Sequence, residues 1–159
     1  MAAQDLSAWG PFAVSSGASE LATELVQALA GRGGQAGLLG ESVQGVQTAI
    51  ITEGLSHLPV TERHWQVLDL CKRLYASGAR IVILEHAGAG DFAQTSGLKG
   101  LSRTLRQEWP DRSIITWSLP AGASLNAQAE LVLGAIASNA PEADLDAAGA
   151  SVMEIGAAP

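Results

Sequence analysis

Short apolar runs alternate with longer amphipathic stretches along most of the chain. The apolar runs predict strands at Pro11–Val14, Ala36–Leu39, Gln47–Thr52, Arg80–Leu84 and Ser113–Leu119. The run at Arg80–Leu84 reads RIVIL, which is apolar on both faces and typical of a central strand covered on both sides. Strands that alternate with helices in this way are typical of βα units on a parallel sheet.

The amphipathic stretches between these runs predict helices. They cover Ser19–Leu29, Thr61–Tyr75, Ser96–Trp109 and Leu125–Ser138. We expect the side chain of Ser19 to cap the first helix, with Glu20 in its first turn, where a carboxylate suits the helix dipole. Helical spacing predicts one apolar face on the second helix, formed by Trp65, Leu68, Cys71, Leu74 and Tyr75.

These elements predict a single α/β domain over residues 1–159, with a mostly parallel sheet of five or six strands and helices on both faces. Asp144–Asp146 and Ser151–Ile155 either pair as a hairpin or lie on the sheet edge. Only seven residues separate Leu39 from Gln47, where a full nucleotide-binding fold spends roughly thirty on further elements. We therefore expect the third strand on that side of the sheet to be missing.

The charge of the chain bears on its partners and its compartment. Sixteen acidic and nine basic residues give a net charge of −7, which argues against nucleic acid and against a polybasic membrane contact. The N-terminus carries an acid and no base, and no apolar run approaches the length of a membrane helix, so we expect a cytoplasmic protein. The lone Cys71 and the widely spaced His57, His64 and His86 predict no metal site.

A glycine-containing loop follows the first predicted strand, as it does in dinucleotide-binding folds. Its residues are Ser15, Ser16, Gly17 and, at the start of the helix, Glu20. Ser16, Glu20 and Ala22 stand where such folds place their glycines, and Glu20 would repel a diphosphate at the helix N-terminus. The loop is degenerate, and we expect no bound cofactor.

The second half of the chain carries a family resemblance. Gly100–Glu108 reads GLSRTLRQE and resembles the GLTRSLAxE helix of the short-chain dehydrogenases/reductases, and Ile115–Pro120 takes the place of their VNxVxP strand. The stretch FAQTSGLKGLSRTLRQEWPD is similar to ketoreductase regions of polyketide and polyunsaturated fatty-acid synthases, in their first half. That half is the non-catalytic structural subdomain, or pseudo-ketoreductase. The specific motif spans about Ala93–Pro120, and the resemblance implies a truncated Rossmann-like three-layer domain.

The catalytic residues of that family are absent at the corresponding positions. Its tyrosine falls at Asp91, its lysine at Thr95 and its serine near Glu85 and His86, while Ile51–Gly54 replaces its NNAG segment. The resemblance therefore implies a scaffold or interaction domain with no catalysis of its own. As part of a longer chain, it would belong to an NADPH-dependent β-ketoacyl reductase of a synthase.

Two other functions stay open from the sequence. One is a degenerate stand-alone reductase-like protein that binds a nucleotide or acyl ligand. The other is a small α/β enzyme that uses Glu85, His86 and Asp91, with His86 as a general base oriented by Asp91. For the scaffold, the expected partners are a catalytic reductase domain, other synthase domains or a second copy, with the interface near Leu38–Val46 or Ser151–Ile155.

Overall fold

The computed structural model of the chain describes residues 9–40, 45–56, 59–86, 97–120, 122–140, 143–146 and 149–152. Its strands are β1 (Phe12–Val14), β2 (Ala36–Leu38), β3 (Thr48–Ile51), β4 (Arg80–His86), β5 (Ile114–Leu119), β6 (Ala143–Asp146) and β7 (Gly149–Val152). Its helices are α1 (Ser19–Gly31), α2 (Val60–Tyr75), α3 (Gly97–Glu108) and α4 (Leu125–Ala137), with a short 3-10 helix at Glu53–Leu55.

The strands form one sheet in the order β2-β1-β3-β4-β5-β6-β7. Every neighbouring pair from β2 to β6 is parallel, and β7 returns antiparallel to β6 as a hairpin. The prediction of an α/β, Rossmann-like domain with a mostly parallel sheet is confirmed. The described residues contain seven strands because both segments of the predicted terminal hairpin join the sheet.

The core lies in two layers, one on each face of the sheet. Side chains alternate along β3 and β4, so that Ile50 and Val82 face one layer while Ile51 and Ile81 face the other. Helices α1 and α4 cover the first face and pack against each other, and helices α2 and α3 cover the second. This two-sided burial explains why the β4 run is apolar at consecutive positions.

Helix α4 lies on the opposite face from the two helices before it. The β3–α2–β4, β4–α3–β5 and β5–α4–β6 connections all step in the same direction across the sheet, but only the last places its helix on the α1 face. The β5–α4–β6 connection therefore has the opposite hand to the other two, which is uncommon for parallel strands. As a result, the N-termini of α1 and α4 lie close together at one edge of the sheet.

Strand β2 lies at the outer edge of the sheet, as expected from the short connection between β2 and β3. Leu39 and Val46 pack against the α2/α3 core at the two ends of that connection, whose residues 41–44 lie outside the described part. Leu38 is 55% exposed. Among the described residues no further strand pairs with β2 on its outer side, so backbone and an apolar side chain are open at this edge.

Two details of the predicted helices are wrong. The Ser19 side chain does not cap α1, because Ser19 is already the first helical residue and Ala18 is the capping residue, with its N–H bonded to Thr52. Trp65 is 65% exposed and Tyr75 is 37% exposed. The predicted Cys71 and Leu74 are buried, and Leu68 is partly buried against the same core. Val67 and Leu70 complete the buried face, which follows the i, i+3, i+4, i+7 spacing.

Tyr75 has a different role at the end of α2. Its ring lies against that of Trp109, with the ring centroids 4.7 Å apart. The guanidinium of Arg112 lies 4.7 Å from the centre of the Tyr75 ring and donates a hydrogen bond to the Tyr75 carbonyl. These contacts fasten the C-terminal ends of α2 and α3 to each other.

No helix within the described ranges is both long and apolar enough to span a bilayer.

A substitution at Gly54 tests how tightly the 3-10 helix packs against β4. A Cβ at this position would lie 2.2 Å from the Leu84 carbonyl oxygen and 2.6 Å from the Leu98 side chain. We expect Gly54→Ala to lower the free energy of unfolding by about 1–3 kcal/mol through overpacking. Urea denaturation measures this change.

The matched control is Gly134→Ala in α4, where an added Cβ meets nothing within 4 Å. Because alanine is the better helix former, this variant should gain about 0.5–1 kcal/mol. Equal stability of the two variants would contradict the close approach at Gly54.

Candidate functional site

Two loops meet at the carboxyl edge of the sheet, where the strand order reverses. Strand β1 is followed in the chain by β2 on one side of it and by β3 on the other. The loop after β1 (residues 15–18) and the segment after β3 (residues 52–56) therefore lie side by side. In open α/β sheets this reversal point is where ligands bind.

Reciprocal hydrogen bonds join these two segments. The Ser15 hydroxyl accepts a 2.7 Å bond from the Thr52 N–H and donates to a carboxylate oxygen of Glu53. The Thr52 hydroxyl donates a 2.6 Å bond to the Ser15 carbonyl and accepts a 3.0 Å bond from the Ala18 N–H. Ser15 and Thr52 are both buried. Each hydroxyl thus satisfies a backbone group of the other segment, and the two loops form one unit.

Glu53 fills the space over the glycine of the first loop. A Cβ added at Gly17 would lie 2.6 Å from the Cα of Glu53 and 2.7 Å from its Cγ and Cδ. Glycine is needed here for a close approach, as in dinucleotide-binding loops, but the group that approaches is the chain's own Glu53. The carboxylate therefore stands beside the backbone that a diphosphate would contact.

Glu20 lies in the first turn of α1, as the sequence predicts. It is exposed there and lines the smaller of two cavities beside the loops, together with Gly17 and Ser19. A second acidic residue at this loop is Glu53, which comes from the segment after β3. In the sequence Glu53 stands out only as part of Ile51–Gly54, since its contact with Gly17 depends on the pairing of β1 with β3.

Two cavities open beside the paired loops. The larger, of about 580 Å³, is lined by Ser16, Gly17, Glu53, Ser56, Gln66, Asp69 and Leu70. The smaller, of about 440 Å³, lies between the N-termini of α1 and α4, and its lining includes Glu20, Leu21, Leu55, His86, Leu125 and Gln128. Gly17 and Ser56 contribute to both cavities.

The structure separates two of the three residues considered for a small α/β enzyme. Glu85 is 3% exposed and accepts a 3.2 Å hydrogen bond from the Ser118 hydroxyl on β5. Because side chains alternate along β4, Glu85 faces the α2/α3 side while His86 lines the smaller cavity on the α1/α4 side. Glu85 and His86 therefore do not meet in one acid–base pair. Asp91, and Thr95 at the lysine position of the resembled family, lie outside the described residues.

The other titratable residues singled out from the sequence have separate surroundings. Burial raises the pKa of the Cys71 thiol to about 12, so it stays protonated and unreactive in the folded chain. Burial, with a smaller contribution from the adjacent Arg63, lowers the pKa of His64. His57 lies outside the described residues. In the part of the chain that is described, no three histidine, cysteine or acidic side chains come together as a metal site.

The link between the two loops is testable through Ser15. Ser15→Ala leaves the buried Thr52 N–H without its acceptor, and we expect it to lower the free energy of unfolding by about 1–3 kcal/mol. Thr23→Ala is the matched control, because the Thr23 hydroxyl bonds the Ser19 carbonyl at an exposed position. Its effect should stay within about 0.5 kcal/mol. Thermal or urea unfolding compares the two, and equal losses would contradict the link.

In comparisons with known proteins, no family model, curated protein or solved structure matches the chain.

Proposed function

We propose that this chain is a non-catalytic scaffold or interaction domain of the cytoplasm, resembling the structural subdomain of a synthase ketoreductase. The observation that carries the proposal is the Glu53 carboxylate packed against Gly17. In a cofactor-binding relative this backbone would receive a diphosphate, whereas here the space holds a fixed negative charge. A domain that has this fold but no open site for a diphosphate is suited to packing against other domains.

The shortened sheet supports association as the role of the domain. Strand β2 has three residues, and its outer side pairs with no other strand of the described chain. Leu38 adds an apolar side chain to this edge. Open edges and exposed apolar groups favour pairing with another polypeptide. The proposed partners are a catalytic reductase domain, other synthase domains or a second copy of the chain.

One observation favours a second candidate, a stand-alone reductase-like protein that binds an acyl ligand. The lining of the smaller cavity combines Leu21, Leu55 and Leu125 with the polar side chains of Glu20, His86 and Gln128. A recess that joins apolar walls to a few polar groups is a common form of small-molecule site. This candidate predicts a ligand in a recess where the scaffold needs none.

The first test is cofactor binding by the whole chain. We expect NADPH titrated in a calorimeter to bind with a dissociation constant weaker than about 100 μM, equivalent to about −5.5 kcal/mol. The reason is repulsion between the diphosphate and the Glu53 carboxylate. Tighter binding would contradict the scaffold proposal. Saturable binding of a short acyl thioester without NADPH binding would favour the second candidate.

The second test is association through the β2 edge. We expect the chain to sediment as an oligomer at micromolar concentration, with the amides of β2 protected from hydrogen exchange. Leu38→Lys places a charge on the edge and should weaken association at least about tenfold.

The control for this test is Gln35→Lys, which adds the same charge beside the edge without removing an apolar group. Its association should match that of the wild type. A monomeric wild type with unprotected β2 amides would contradict self-association, and weakening by both variants alike would assign the effect to charge alone.

A further inference from the structure

The smaller cavity is lined by a buried polar side chain that the chain itself leaves without a partner. Gln128 on α4 is only 8% exposed and lines this cavity. Its side-chain amide forms no hydrogen bond in the described part of the chain. We propose that the cavity binds a neutral acyl amide, whose amide group forms two reciprocal hydrogen bonds with Gln128. The proposal deepens the second candidate function, a protein that binds an acyl ligand, and rests on it.

The Gln128 amide faces the cavity rather than the apolar core. Side chains on a helix lean toward its N-terminus, which directs Gln128 toward the first turn of α4. Leu125 lies three positions before Gln128 and lines the same cavity, so both side chains share one face of the helix. Among the described residues, the unpartnered side-chain atom that is wholly shielded from solvent belongs to Ser56. The amide atoms of Gln128 therefore keep their small exposed area at the cavity.

An amide group is the ligand chemistry that satisfies this side chain most fully. The Gln128 amide offers an NH₂ donor and a carbonyl acceptor side by side. A buried polar group without a partner is unfavourable, and here the chain provides none. A ligand amide can accept a hydrogen bond from the NH₂ group and donate one to the carbonyl. A ketone or an ester supplies only an acceptor, so it leaves the Gln128 carbonyl unpaired.

The ends of two helices favour a carbonyl oxygen at the same place. Helices α1 and α4 have 13 residues each and begin at Ser19 and Leu125, which both line the cavity. The N–H groups in the first turn of a helix have no acceptor inside that helix and carry partial positive charge. The Ser124 hydroxyl accepts from the Ala127 N–H, and the Leu125 N–H has no acceptor among the described residues. The oxygen of an acyl group is suited to this positive end.

The rest of the lining suits a short chain without charge. Leu21, Leu55 and Leu125 supply apolar walls for an acyl chain, and the volume of about 440 Å³ lies within the range of ligand pockets. Glu20 also lines the cavity. A carboxylate ligand would meet this negative charge, and like charges repel each other. A neutral amide keeps the hydrogen bonds to Gln128 without that repulsion.

The test uses hexanamide, titrated into the whole chain and followed by NMR. We expect saturable binding that shifts the side-chain NH₂ signals of Gln128. Gln128→Leu keeps most of the side-chain volume but removes the amide, so it should raise the dissociation constant at least about tenfold. The same variant should not lower the free energy of unfolding, because it removes a buried polar group that has no partner. Weaker binding would then not come from partial unfolding.

Three controls isolate the contact. Asn126→Leu makes the same change of side chain at an exposed position of α4 outside the cavity lining, and it should change the dissociation constant by less than about twofold. The ketone 2-heptanone has a carbonyl but no N–H, and it should bind at least about threefold more weakly than hexanamide. Hexanoate should also bind more weakly, since its charge meets Glu20.

Three results would overturn the proposal: no saturable binding of hexanamide, equal effects of Gln128→Leu and Asn126→Leu, or tighter binding of hexanoate than of hexanamide. If a short acyl thioester still binds the chain, only the recognition of an amide by Gln128 fails, and the second candidate function stands. If neither hexanamide nor the thioester binds, the second candidate function fails as well.

Discussion

The contact between the loop after β1 and the segment after β3 is the constraint on which the rest of this structure depends. Ser15 and Thr52 exchange hydrogen bonds in both directions, and Glu53 closes over Gly17. Ser15 and Thr52 are buried, and their polar groups would be costly to leave without partners. The contact fixes how the strands end, and it therefore fixes the shape of both cavities at this edge.

The same contact inverts the chemistry of the edge. In a parallel sheet the turn after the first strand and the helix that follows it present N–H groups and a positive dipole end, which favour anions. In this chain the Ala18 N–H bonds the Thr52 hydroxyl, and the Glu53 carboxylate covers the turn. This edge therefore holds a carboxylate of the chain itself where such turns usually offer free N–H groups to an anion.

The shortened side of the sheet follows from the length of the connection between β2 and β3. A connection of few residues joins β2 to β3, and Leu39 and Val46 at its ends pack on the α2/α3 face. This leaves β2 as an edge strand of three residues with Leu38 exposed. The domain therefore keeps a complete two-sided core around β3 and β4 while exposing backbone at its margin. Such a margin is suited to pairing, whereas the core needs no further element.

The sequence by itself determined the fold class and most of the elements. Apolar runs on both faces of Arg80–Leu84 require burial on two sides, and the short connection after β2 leaves no room for another strand. The replacement of the usual glycines in the loop after β1 is also visible in the sequence. These features are local, since each depends on residues close together in the chain.

Only the tertiary structure decided what surrounds that loop. Glu53 reaches Gly17 across 36 positions of sequence because β1 pairs with β3, and no local pattern shows this contact. The exposure of Trp65 on α2 has a related reason. Trp65 is apolar, but its direction on the helix carries it away from the sheet, and solvent rather than a core surrounds it. The alternation of Glu85 and His86 likewise separates two neighbours in sequence onto opposite faces, because a strand turns successive side chains to opposite sides.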